Sequence, residues 1–311
     1  MYRHLLIPFD GSFPGVESMG QALELAQSIG ARVTFLPLLR WHAGESFADM
    51  DDVPCAYPDE ECASELVARA SAAARAQGVP CLSAGMSSAS SAVAIVNAAR
   101  EHGCDLICIG RHQYEMNAGD SRGPADSVVG AADVPVLVCA RDRRPVVTRA
   151  TGRLLDQHRS IADTLHGWLA VIRAARARGT APGRQVMRQI VGRLHELQTQ
   201  RYRRGDNASL FALLRQSSSA ADAELDELER QDQYAGQILD ELAGMVEDET
   251  QLALSCDHLE QAVRAYAQFV WERMGREEGV VLPAARRYLC EADWAAIAAG
   301  FDDPPAAGSA A

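Results

Sequence analysis

Two adjacent glutamates near the end of the chain are the residues best placed to do chemistry. They lie in Arg273-Met274-Gly275-Arg276-Glu277-Glu278-Gly279-Val280-Val281-Leu282-Pro283. On a helix Glu277 stands four residues from Arg273 and therefore on the same face. A carboxylate there can ligate a cation or pair with the planar fork of an arginine. Arginine itself is no ligand, because it stays protonated and has no lone pair to give a metal. Histidine is the other candidate donor. His158 falls on an apolar stripe, and His166 lies eight residues on, beside that stripe. His195 and His258 read as polar edge residues. No Ser-His-Asp arrangement can be placed, and no acid pair is forced into general acid–base geometry, so no enzyme is expected. The eight cysteines contain no CxxC pair, which argues against a thiolate zinc site. Cys104, Cys108 and Cys139 sit in buried-strand patterns as small hydrophobes. Cys55 and Cys62 flank an acidic loop, where redox sensing is the alternative to a passive role.

The elements that must position these groups change character midway. In the first half, short apolar runs alternate with helical periods. Leu5–Phe9 is followed by Asp10-Gly11-Ser12, a turn able to cap the helix from Val16 to Ile29. Arg32–Leu38, Cys81–Gly85, Cys104–Gly110 and Val136–Cys139 read as further strands, with helices over Ala63–Ala76 and Ala92–His102. Residues 40–58 are irregular, and residues 110–124 form a glycine-bearing polar loop. Alternation of this kind implies a parallel sheet with right-handed crossovers. The charged, proline-bearing stretch 142–152 reads as a linker. Beyond it no strand recurs. Leu154, Leu155, His158, Ile161, Leu165, Trp168 and Ile172 form one core-facing stripe. Three further long helical patterns, Val186–Leu214, Leu225–Val246 and Leu259–Val281, complete a four-helix bundle. A short helix over Asp293–Ala299 precedes a tail, 304–311, read as disordered.

Bulk properties bound the function. The 311 residues suffice for two domains, and at 48% hydrophobic they can bury a sizeable core. A net charge of -12 argues against nonspecific binding of nucleic acid or membrane surfaces. No apolar run reaches a membrane span, and the N-terminus runs into strand-like sequence without a signal-peptide pattern, so a cytoplasmic location is expected.

Met1 to Ser12, Cys104-Asp105-Leu106-Ile107-Cys108-Ile109-Gly110-Arg111-His112 and Val134-Pro135-Val136-Leu137-Val138-Cys139 resemble, in that order, the opening, fourth strand and fifth strand of the universal stress protein family. The resemblance covers residues 1–141 and implies a Rossmann-like α/β domain. Nucleotide-binding members cradle phosphate on a glycine loop, because glycine lets backbone amides approach the oxygens. Here the resemblance assigns Asp10, Gly110 and Gly123 to that cradle. Gln113 replaces the second glycine, and Pro124 replaces the hydroxyl residue and brings no N–H. Glu115 and Asp120 add negative charge. The resemblance also implies a homodimer through the last strand, whose edge would otherwise need cover.

Residues 153–303 resemble the hemerythrin-like bundle that holds two irons with histidines and carboxylates. Leu154 to Ile161, Tyr202 to Phe211 and Arg273 to Pro283 carry the likeness, with Tyr288-Leu289 and Asp293-Trp294 following. Mapped onto the family's ligand positions, His158 and Glu277 are retained. Arg203, Asn207, either Asp232 or Gln233, and Arg273 stand where the other ligands belong, and Glu278 completes a paired glutamate. Two arginines repel a cation, so neither iron nor any other cofactor is expected; a single-metal site of His158, Asp232 and Glu277 is the alternative. In place of metal, the substitutions suggest an ion-pair network of Arg203 and Arg273 with Glu277 and Asp232. The expected function is that of a non-catalytic stress-response or regulatory protein. An ATP-binding regulator and an iron- or oxygen-sensing protein are the alternatives.

Overall fold

The computed structural model describes residues 1–38, 59–85, 92–111, 124–203, 206–248 and 256–302. They form two compact units. One holds Met1–Arg141 together with Arg264–Pro283, and the other holds Asp142–Val263 together with Ala284–Ala311.

The first unit is built on five parallel strands: β1 (His4–Phe9), β2 (Arg32–Pro37), β3 (Cys81–Ser83), β4 (Leu106–Gly110) and β5 (Val136–Cys139). Their order is β3-β2-β1-β4-β5. The strands alternate with α1 (Phe13–Ile29), α2 (Asp59–Ala76), α3 (Ala92–Glu101) and α4 (Pro124–Ala131), as the βα pattern predicts. β1 and β4 are buried along their whole length, which suits strands covered on both faces. Leu6, Ile107 and Ile109 pack under Ile95, Ala99 and Val128 of α3 and α4. At the start of β1, the Asp105 carboxylate accepts from the backbone N–H groups of Arg3 (2.9 Å) and His4 (3.0 Å). Partial burial works against its charge, but those amides outweigh it and hold the carboxyl below its usual range. The buried His4 ring meets Thr34 Oγ1 at 2.7 Å. Burial, then Arg32, lowers its pKa.

The first unit also takes in a late segment. Helix α9 (Cys256–Arg276) runs into a π-helical turn, Glu277–Val281, and then α10 (Leu282–Tyr288). Only Arg264–Pro283 of this stretch belongs to the sheet-bearing unit. The π-turn packs on α1 and α2. The residues expected in a helical bundle over 153–303 are thus shared between the two compact units.

In the second unit α5 (Pro145–Ala177) begins inside the stretch read as a linker. Pro145 occupies the first helical turn, where its missing N–H costs nothing, so the proline starts a helix instead of interrupting one. Arg144 precedes it, with its guanidinium on Asp142 at 2.7 Å. The pattern over Val186–Leu214 resolves into two helices, α6 (Arg184–Arg203) and α7 (Asp206–Ser217), followed by α8 (Asp222–Glu247) and, after α10, α11 (Glu291–Asp302). α6 packs on α5, α7 and α8, and α11 packs on α5 and α7. The stripe through Leu154, Leu165, Trp168 and Ile172 is buried as its spacing predicts. His166, expected at an edge, is buried, because α5 is covered on more than the width of that stripe. The tail at 304–311 lies outside the described residues.

Candidate functional site

Among the described residues, a dense group of buried charge lies in the first unit, where α2 meets the Arg264–Pro283 segment. Arg69 comes from the alanine-rich middle of α2 and is 5% exposed. Its fork grips Glu278 at two points, Nη2 to Oε1 at 2.7 Å and Nε to Oε2 at 3.2 Å. Its Nη1 donates to Glu65, one turn earlier on α2, at 2.7 Å. Burial opposes the guanidinium charge, but Glu278 and then Glu65 outweigh it and push the pKa up. The group stands over the Phe9 ring, 5.7 Å from its centroid. It also limits the turn after β1. Gly11 has φ +66°, and a side chain there would come within 3.0 Å of Arg69 Nη1.

Arg273 and Glu277 form the second pair of this cluster. Nη2 donates to Glu277 Oε1 at 2.6 Å, and both residues are 1% exposed. The four-residue spacing that places them on one helix face also brings them into contact. The neighbouring glutamates thus take different arginines: Glu277 takes Arg273 of its own helix, and Glu278 takes Arg69 of α2. The sequence reading gave Glu278 no partner and missed Arg69.

His158 is buried in the second unit on α5. Asp232 is half-buried and Gln233 exposed on α8, so Asp232 is the more inward-lying of the two. With Glu229 and Gly236 they line an open depression. Arg203 and Asn207 fall at the end of α6 and the start of α7, and their side chains lie outside the described residues. Asp10 follows β1 and Gly110 ends β4, the neighbouring strands between which the chain order reverses, which is where open α/β sheets bind ligands. Asp10 is buried, and its Oδ1 accepts from Ser12 Oγ at 2.6 Å and from Ser12 N–H at 3.1 Å. Ser12 Oγ in turn accepts from Gly15 N–H and caps α1. Gln113, Glu115, Asp120 and Gly123 lie outside the described residues.

Two family models match the chain in succession. The Universal stress protein family matches residues 1–140, and the Hemerythrin HHE cation binding domain matches residues 149–285. The chain is a fusion of a universal stress protein domain and a hemerythrin-type domain. Solved structures similar to part of it include a universal stress protein in complex with cAMP, 18% identical over 45% of this chain and 97% of that one, with a TM-score of 0.35. A universal stress protein family member from Burkholderia pseudomallei is 24% identical over 44% and 96% of the two chains, with a TM-score of 0.32. One from Archaeoglobus fulgidus is 20% identical over 44% and 98%, also with a TM-score of 0.32.

The hemerythrin-type domain raises the question of iron. Among the described residues, no three His, Cys, Asp or Glu side chains gather as a cation site. Glu277, expected as a ligand position from the sequence, is held by a buried guanidinium, and Arg273 cannot become a ligand at any accessible pH. A cation at Glu277 Oε1 would face that fixed positive charge across a contact of 2.6 Å. The described residues do not fit a di-iron centre.

Proposed function

We propose that this fusion is a non-catalytic stress-response or regulatory protein that acts by binding, and that its hemerythrin-type sequence has exchanged metal ligation for ion pairing. The observation that carries this reading is the Arg273–Glu277 pair, closed at 2.6 Å and sealed from solvent. An arginine in a ligand position could point away to water and leave its carboxylate open; this one neutralises it. Metal analysis and an absorbance spectrum of full-length protein expressed in iron-supplemented medium test the reading. The expected result is well below one iron per chain and no iron–ligand band. Two irons per chain would refute it.

Adenine-nucleotide binding is the second reading. It is favoured by the placement of Asp10 and Gly110 on either side of the strand-order reversal. A rise in melting temperature with ATP that vanishes in Asp10→Ala would support it. Pairing of two copies through the stress-type domain belongs to the same proposal, since β5 ends the sheet and Leu137 on it is exposed. Light scattering checks the mass. A cytoplasmic location is likewise proposed; no described helix is long and apolar enough to cross a membrane.

A further inference from the structure

Arg264–Pro283 lies within the hemerythrin-type match, yet it packs in the compact unit of the sheet. Gly275 and Gly279 let it close on α2, where a methyl group on either would strike backbone atoms. One side chain carries this contact to the turn that holds Asp10. Arg69 meets Glu278 of the segment through Nε at 3.2 Å and Nη2 at 2.7 Å, and Glu65 through Nη1 at 2.7 Å. Three contacts thus fix the guanidinium plane, and two of them come from the segment. The same group lies against Gly11, where a methyl would stand 3.0 Å from Nη1 and 3.0 Å from Leu66 Cδ2. Gly11 holds φ +66°, so the chain bends sharply where it rests on α2. Asp10 and Ser12 flank that bend. The Asp10 carboxylate, 4% exposed, accepts across it from Ser12 Oγ and Ser12 N–H. The direction of the carboxylate therefore depends on where Gly11 rests.

We infer that Arg69 is a positioning residue for the Asp10 site and that Glu278 holds it there, so that ligand affinity at Asp10 depends on the seating of Arg264–Pro283. The inference rests on the adenine-nucleotide reading proposed above. Without the Glu278 carboxylate the guanidinium keeps Glu65, a single contact about which its plane can turn. Gly11 then rests on a moving group, and the Asp10–Ser12 geometry loosens with it. Coupling of this kind is reciprocal. Whatever factor the Glu278 contact adds to affinity at Asp10, a ligand at Asp10 adds to the stability of the seated segment.

Calorimetric titration of the full-length protein with ATP tests the inference, together with amide hydrogen exchange. Glu278→Gln keeps the shape of the side chain and removes an acceptor; Arg69→Lys keeps the charge and loses the planar fork. Each is expected to bind ATP about tenfold more weakly than the parent protein. Glu272→Gln, which breaks the exposed Arg75–Glu272 pair between the same two helices, is expected to bind as the parent does. Equal affinity in the parent, Glu278→Gln and Arg69→Lys overturns the inference and leaves the nucleotide reading standing, as does an equal loss in Glu272→Gln. A parent protein that binds no ATP overturns both. A merely structural role for Arg69 would lower the melting temperature and produce no reciprocal effect. In the parent, saturating ATP is expected to slow exchange over residues 275–281 about tenfold, and Asp10→Ala to abolish that change. Unchanged exchange in the ATP-bound parent overturns the inference, and this measurement needs no variant of Arg69 or Glu278 to fold.

Discussion

Arg69 with Glu278 in the first unit and Arg188 with Glu247 in the second make the same fork-on-carboxylate contact. Arg188 donates from both Nε and Nη2 to the two oxygens of Glu247, as Arg69 does to Glu278. The side chains of the first pair are 6% and 0% exposed; those of the second are 49% and 52% exposed. The fork-on-carboxylate contact is the same in both; the first guanidinium also holds Glu65, and the two pairs differ most in their exposure to solvent. Water and salt screen the exposed pair and can replace either partner. Water does not reach the buried pair, so Glu278 depends on Arg69, while Arg69 is held by Glu278 and Glu65 together.

Breaking each pair in turn tests that contrast. Arg69→Met is expected to cost about 3–5 kcal/mol by urea unfolding, because Glu278 keeps its charge and loses the two-point grip of this guanidinium. Arg188→Met is expected to leave the transition where it was. Equal losses for the two variants would show that burial is not the deciding term. Next in size is Gly275→Ala, which keeps every charge and forces the helices apart; overpacking of this kind costs about 1–3 kcal/mol. It separates the contribution of close approach from that of charge. Within the first unit, Arg75 and Glu272 form a third pair at 3.4 Å, 58% and 36% exposed. Glu272→Ala is expected to cost about 0.2–1 kcal/mol at most, placing it with the exposed pair although it lies beside the buried one.

The smallest expected effect is a change of slope with pH. His4 has a lowered pKa in the folded protein, first from burial and then from Arg32. Folding therefore disfavours its protonation. The stability it contributes is present above its ordinary pKa of 6.5 and is lost as the pH falls below that value. The urea midpoint should drop between pH 7 and pH 5, and drop less in His4→Gln. Asp105 acts in the same direction at lower pH, through its two backbone donors.

Much of the first domain is legible in the sequence because its signals are local. Leu5–Phe9 and Cys104–Gly110 are apolar runs of strand length, and Asp10-Gly11-Ser12 between strand and helix is turn chemistry. The Arg273–Glu277 pair is legible for the same reason, its partners being four residues apart on one helix. The Arg69–Glu278 pair is not, because its partners stand 209 residues apart. Arginine at position 69 gives no warning either. The chain contains no lysine, so all 30 of its Lys and Arg residues are arginine and one more attracts no notice. Gly275 and Gly279 have helix-packing spacing, but spacing does not say which helix they meet. The division of α9 at Arg264 is equally hidden, since the apolar period runs through it without a break. Pro145 misled for a simpler reason: the same residue that ends a helix from inside can begin one.

The composition of the first unit from two distant stretches has a consequence for its synthesis. The five strands and α2 leave the ribosome early, but the segment that covers α2 follows only after residues 142–263. At ~5–20 residues per second, the alanine face of α2 and the Arg69 guanidinium wait on the order of ten seconds for their cover. During that interval the guanidinium has Glu65 of its own helix to hold and still lacks the two-point contact with Glu278.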